Sequence, residues 1–196
     1  MRIGHEFSGS SISGGNGSSH DGQPDSAIVT LGAPQRGSGK LCFIAMPFTE
    51  REEAHASGFF DEVLESLIVP AATAAGFTVR SANRQGSDVI QSTIINDLLD
   101  ADLVVADLTE HNPNVLFELG MRMAVDKPVA LVRAKGTGRI FDVDNVLRVF
   151  DYDPCLWPST VKTDLPALTE HIAASWSSRE SEATYMKLLK RTPRPA

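Results

Sequence analysis

Several features are absent from this sequence. No apolar run approaches the roughly 20 residues of a membrane-spanning helix, and the first residues lack the apolar core of a secretion signal. The two cysteines, Cys42 and Cys155, cannot form a disulfide framework. We therefore expect a cytoplasmic chain with reduced thiols that does not contact a membrane. The five histidines show no metal-ligand spacing, so we expect no bound metal.

Positive charge is also scarce. The chain has 18 lysines and arginines against 25 aspartates and glutamates, a net charge of -7. Binding to a nucleic-acid backbone requires a dense cationic face. We therefore expect no nucleic-acid partner. What the chain does contain is a core: 42% of its 196 residues are apolar, enough for one domain with a tail.

The composition changes along the chain. Residues 8–19 are mostly serine and glycine, as in flexible linkers. Such a segment buries too little apolar surface to offset the entropy lost on ordering. We therefore expect a disordered tail or linker over 1–40 and an α/β domain over 41–178. A C-terminal helix with a frayed tail is expected over 179–196.

Apolar runs alternate with amphipathic segments through the whole domain. This alternation predicts a doubly wound, mostly parallel five-stranded sheet with helices on both faces. Gly76 is the expected stop of the first helix, and Asn112 the expected N-cap of the third, with Pro113 at its first position. The predicted strands are 41–46, 77–79, 103–106, 128–132 and 146–150, and the predicted helices are 58–75, 88–101, 114–126, 165–176 and 180–190.

Polar and aromatic residues follow three of the predicted strands. Open parallel sheets bind ligands at the carboxyl ends of their strands, so we expect a ligand site there. Alternatives stay open: Phe48 could be packing, Arg80 and Arg84 could be surface residues, and Asp107 could cap a helix or orient a neighbour. The residues expected to bind the substrate are Met46, Pro47, Phe48, Arg80, Arg84, Asp107, Asn112 and Asn114.

Glu118 is the candidate catalytic residue. It stands in the third helix among apolar residues, so its carboxyl should be partly desolvated and its pKa raised. Asn114 lies one turn before it on the same face. The alternatives for Glu118 are a solvated helix residue or an ion pair with Arg122, four residues later on that helix.

Three sequence strings carry a resemblance to a known family. They are CFIAMPF at 42–48, ADLVVADLT at 101–109 and NPNVLFELG at 112–120. These strings resemble the bacterial TIR-like nucleotide-binding domains, which are similar to the nucleoside 2-deoxyribosyltransferase group. The resemblance covers about 41–171. It implies a flavodoxin-like α/β fold and cleavage of an N-glycosidic bond, with Glu118 as the catalytic acid.

The resemblance implies, first, an NAD glycohydrolase that cleaves the nicotinamide–ribose bond, with NAD as substrate and no cofactor. It further implies a defence effector that works as a homo-oligomer together with a fused or separate sensor domain. Two alternatives remain: a nucleoside or nucleotide N-hydrolase or 2-deoxyribosyltransferase, and a non-catalytic nucleotide-binding or assembly module. The aspartate-rich sugar-binding loop of the deoxyribosyltransferases is not found, which disfavours base exchange.

Overall fold

The computed structural model describes residues 39–51, 55–81, 90–180 and 186–187. Residues 1–38 of the tail predicted over 1–40 lie outside the described residues, as do most of the predicted C-terminal segment and the candidate ligand residue Arg84.

Five parallel strands form one sheet in the order β2-β1-β3-β4-β5. This is the order of flavodoxin-like, doubly wound α/β folds, so the predicted fold class is confirmed. The three central strands, β1, β3 and β4, are mostly apolar and buried, as expected for strands covered on both faces. The strands are β1 (Lys40–Ala45), β2 (Phe77–Ser81), β3 (Leu103–Asp107), β4 (Val129–Ala134) and β5 (Val149–Tyr152).

Strand β5 starts later than the predicted 146–150. The backbone N–H groups of Val146 and Leu147 bond to the carbonyl of Val143, within a turn that follows a short helix. Those two residues are therefore not available to the sheet. The short helix itself, α5 (Phe141–Asp144), lies between the predicted elements, where the sequence predicts neither a helix nor a strand.

The first long helix is interrupted by a wider turn. It runs as α1 (Phe59–Val63), a π-helical turn (Leu64–Ile68) and α2 (Val69–Ala74). Pro70 has no N–H for the preceding turn and its ring crowds that turn, which accounts for the local change of helix type. Gly76 follows with φ 87°, a left-handed conformation that ends the helix as predicted.

The other helices are α3 (Ile90–Asp100), α4 (Pro113–Ala124) and α6 (Pro158–Ser177). Helix α6 begins at Pro158 rather than at residue 165. Proline is well suited to the first turn, and the polar residues that follow it hid the helical periodicity.

Side chains that alternate along each strand enter two separate cores. One core lies between the sheet and α1, α2 and α6, and includes Ile44, Val105 and Tyr152. The other lies between the sheet and α3, α4 and α5, and includes Phe43 and Ala106. We call these the first and second layers. Each layer supplies one wall to the edge of the sheet where the strands end.

Candidate active site

The chain changes direction between β1 and β3. Strand β1 continues into α1 in the first layer, whereas its neighbour β3 continues into α4 in the second layer. The loops that leave two such strands diverge and open a crevice at their carboxyl ends, which is where doubly wound sheets bind ligands. The β1–α1 loop and the β3–α4 loop therefore border the candidate site.

Glu118 is half-buried on α4, the helix that follows this crevice. Desolvation by burial raises the pKa of its carboxyl from the usual 4.5 to about 6. Within the described residues, the carboxylate forms no hydrogen bond or ion pair. At neutral pH the group is therefore mostly ionised, with little compensation for its charge.

Arg122 is not the partner of Glu118, so the alternative based on their spacing is wrong. Its guanidinium is fully buried and donates to the backbone carbonyl oxygens of Leu98 at 3.0 Å, Ala101 at 2.9 Å and Asp102 at 3.0 Å. Leu98 lies in the last turn of α3, where carbonyls lack intrahelical partners, and Ala101 directly follows that helix. Arg122 thus joins α4 to α3 and leaves Glu118 unpaired.

Asp107 ends β3, but its side chain turns inward to the first layer. One oxygen accepts from the backbone N–H of Thr109 at 2.9 Å and from its hydroxyl at 2.5 Å. The other oxygen accepts from the Tyr152 hydroxyl at 2.8 Å. Burial raises the pKa of Asp107 above its usual range. With no exposed surface, Asp107 holds the β3–α4 loop in place, and it does not touch Glu118 in the second layer.

Two other predicted ligand residues are already engaged by the protein. The side-chain oxygen of Asn112 caps α4, as predicted, and accepts from the N–H groups of Asn114 at 3.0 Å and Val115 at 3.4 Å. Arg80 donates to Asp97 at 2.8 Å in a half-exposed pair. Asn114 is exposed one turn before Glu118, so its side chain is accessible from solvent.

The end of β1 supplies the remaining predicted residues. Met46 and Pro47 are buried, and Met46 belongs to the first-layer core. Phe48 is 51% exposed. Of these three residues, Phe48 is the one whose side chain is available to pack against a bound base.

A histidine–glutamate pair that the sequence did not reveal spans the crevice. The Nδ1 atom of His55, in the β1–α1 loop, lies 2.8 Å from Oε1 of Glu110, in the β3–α4 loop. Glu110 has φ 60°, a left-handed conformation uncommon for residues other than glycine. The sequence contains no local pattern that predicts this pair, because the two residues are far apart in the chain.

A cleft of about 620 Å³ lies at the opposite edge of the sheet, where β4 and β5 begin. Its lining includes Lys127, Arg148, Glu170 and His171 and shares no residue with the predicted site. This cleft and the crevice between β1 and β3 therefore lie at opposite edges of the sheet.

Within the part of the chain that the structure describes, no three histidine, cysteine or acidic side chains are grouped to hold a metal ion. No helix among these residues is long and apolar enough to span a membrane.

Comparison with known proteins gave one type of likeness. No protein-family model matches the chain, and no curated protein sequence does. Among solved structures, a 2-deoxyribosyltransferase from the psychrotolerant bacterium Bacillus psychrosaccharolyticus is similar, with 18% sequence identity and a TM-score of 0.44. The match covers 65% of this chain and 95% of that one.

Proposed function

We propose that this protein cleaves the N-glycosidic bond of a nucleoside or nucleotide, with Glu118 as the catalytic carboxylate. The environment of the Glu118 carboxylate supports this role. It is half-buried, has a pKa of about 6 and lacks a cationic partner within the described residues. It also belongs to the helix that follows the ligand crevice of the fold.

The chemistry requires such a group. As the bond between C1′ and the base breaks, positive charge develops on the sugar. A carboxylate that is already ionised and poorly solvated stabilises that charge, or attacks C1′ and forms a glycosyl ester. Asn114, exposed on the same face one turn earlier, would bind the sugar hydroxyls. Phe48 would pack against the base.

NAD is the second candidate substrate. The nicotinamide ring of NAD already carries a positive charge, so it can leave without being protonated. One carboxylate therefore suffices for cleavage, and no general acid is needed. The single unpaired acid on α4 fits that requirement. The roles in defence, self-assembly and sensor coupling stay predictions from the sequence resemblance.

The test is a product assay at high protein concentration. The protein is incubated with NAD, ribonucleotides and deoxynucleosides, and free base is measured by chromatography with mass detection. The variants are Glu118→Ala and Glu118→Gln. Glu65→Gln, an exposed acid on the π-helical turn, is the matched control.

We expect base release by the wild type and by Glu65→Gln, and a loss on the order of 10³-fold in both Glu118 variants. Full activity in Glu118→Gln would remove this residue from the reaction. Ligand binding without product in the wild type would instead favour the non-catalytic nucleotide-binding module.

A further inference from the structure

We propose that His55, oriented by Glu110, donates the proton to the departing base, and that the substrates are therefore nucleosides or nucleotides with an uncharged base. This inference rests on the proposed N-glycosidase function and specifies its substrate class. A neutral base is a poor leaving group until a nitrogen or oxygen of its ring is protonated, whereas nicotinamide in NAD needs no proton.

The position of the pair supports this role. His55 lies in the loop after β1 and Glu110 in the loop after β3, so their contact of 2.8 Å spans the crevice between those two strands. A pair in this place borders any ligand that binds where doubly wound sheets bind ligands.

The hydrogen bond leaves one ring nitrogen available. A carboxylate that binds Nδ1–H of a histidine fixes the ring orientation and tautomer, so that Nε2 exchanges the proton. Within the described residues, Nε2 of His55 has no hydrogen-bond partner. The His55 side chain is 17% exposed, enough for a ligand atom to reach its edge.

The ring is also held by packing. It stacks on Phe59, with ring centroids 4.0 Å apart and an interplanar angle of 18°. Phe60 packs against it at 6.0 Å between centroids. A histidine fixed by two aromatic rings and a carboxylate is positioned before the substrate binds, which is how acid–base groups are made effective.

Glu110 is held in turn. Its side chain is 5% exposed, and both of its oxygens lie 3.3 Å from the backbone N–H of Arg51. The residue before it, Thr109, is fixed by the buried carboxylate of Asp107. Among the described residues, the charged groups that interact with the imidazole or with Glu110 are Glu110 itself, Arg51 and Asp107. The protein therefore fixes both side chains of the His55–Glu110 pair, unlike a solvated ion pair on the surface.

The two candidate catalytic groups belong to different layers. His55 precedes α1 in the first layer, and Glu118 stands on α4 in the second. A substrate in the crevice would meet the carboxylate from one side and the imidazole from the other, as a double displacement requires.

The proposed reaction has two steps. A Glu118 oxygen bonds to C1′, the C1′–N bond breaks with its electron pair passing to the base, and the Nε2 proton of His55 moves to the base. Water then attacks C1′, the ester bond breaks with its electron pair returning to Glu118, and a water proton moves to Nε2. The net products are the free base and the free sugar or sugar phosphate.

The experiment compares leaving groups. Neutral-base substrates are the common ribonucleotides and deoxynucleosides. Cationic-base substrates are 7-methylguanosine monophosphate, nicotinamide mononucleotide and NAD. The variants are His55→Ala, His55→Gln, Glu110→Gln and Glu118→Ala. His111→Ala, at the same edge and hydrogen-bonded to the Gly138 carbonyl, is the matched control.

We expect the wild type and His111→Ala to cleave neutral-base substrates. The activity of His55→Ala on these substrates should be lower by about 10²-fold or more, and added imidazole should restore it. Its activity on cationic-base substrates should change little. Glu110→Gln should lower kcat on neutral-base substrates with little change in KM. Glu118→Ala should lose activity on both classes of substrate.

Two results would overturn the role of His55. One is an equal loss on both substrate classes in His55→Ala and His55→Gln, with folding verified by circular dichroism. The other is a wild type that cleaves cationic-base substrates alone. A wild type that cleaves neither class would overturn the N-glycosidase function itself, and with it this inference.

Discussion

Arg122 follows Glu118 by one helical turn, yet its guanidinium bonds to the carbonyl oxygens of Leu98 and Ala101 instead of to the carboxylate. The arginine therefore joins two helices, while the acid keeps its charge for another partner. The unpaired state of Glu118 follows from the way α3 and α4 pack.

Replacement of Arg122 by alanine should destabilise the protein by about 3 kcal/mol, since it leaves several buried carbonyl oxygens without donors. Urea denaturation measures the change. Arg148→Ala, at an exposed position, is the control and should change stability by no more than about 0.5 kcal/mol. Equal stability of Arg122→Ala and the control would contradict the described network.

The pH dependence of activity should report Glu118. Its raised pKa means that the carboxyl is protonated below about 6 and ionised above it. Because the ionised form is the one proposed to stabilise the sugar cation, kcat should fall as the pH drops through 6. A kcat profile between pH 4.5 and 8 tests this, and a profile that stays flat through pH 6 would argue against the carboxylate.

Glu118 should also oppose folding above its pKa. The unfolded carboxyl ionises near 4.5 and the folded one near 6, so this group lowers stability as the pH rises through that window. Glu118→Gln should therefore raise the melting temperature at pH 7.5 and lose this advantage at pH 4. A Glu118→Gln variant that is less stable at pH 7.5 would show that the carboxylate has a favourable partner.

Much of the architecture could be predicted locally. Gly76 ends a helix and Asn112 caps one because each role depends on the residue itself and its immediate neighbours. The alternation of apolar runs and amphipathic segments was enough for the parallel sheet. The start of α6 was missed because its first turns are polar and lack a periodic signal.

The candidate site was only partly predictable, for physical reasons. The spacing of Glu118 and Arg122 indicates that they can meet, but the acceptors that draw the arginine away are tertiary. Asp107 was placed at the correct strand end, but which layer it faces depends on the register of the sheet. His55 and Glu110 come together through folding alone.

Glu110 allows a test of backbone strain. At φ 60°, a side chain costs about 1 kcal/mol relative to glycine. Glu110→Gly should therefore be more stable than Glu110→Ala by roughly that amount in thermal unfolding. Both should lose activity on neutral-base substrates. Greater stability of Glu110→Ala than of Glu110→Gly would show that residue 110 does not adopt a left-handed conformation.

The hydroxyl of Tyr152 should matter for the loop that carries Glu110. Tyr152→Phe leaves one oxygen of the buried Asp107 carboxylate without its donor, at a cost of about 2 kcal/mol. Ser177→Ala, which removes an exposed hydroxyl on α6, is the control. Thermal unfolding compares them. A cost of Tyr152→Phe no larger than that of the control would indicate that the network is not formed.

Glu118 is proposed to act on the sugar during cleavage and not to hold the ligand. The most direct measurement pairs calorimetric binding with single-turnover base release for the wild type and Glu118→Gln, using one cleaved nucleotide. We expect Glu118→Gln to bind the nucleotide with an affinity within about threefold of the wild type. Its rate of base release should be lower on the order of 10³-fold. Release at the wild-type rate by Glu118→Gln would contradict this proposal.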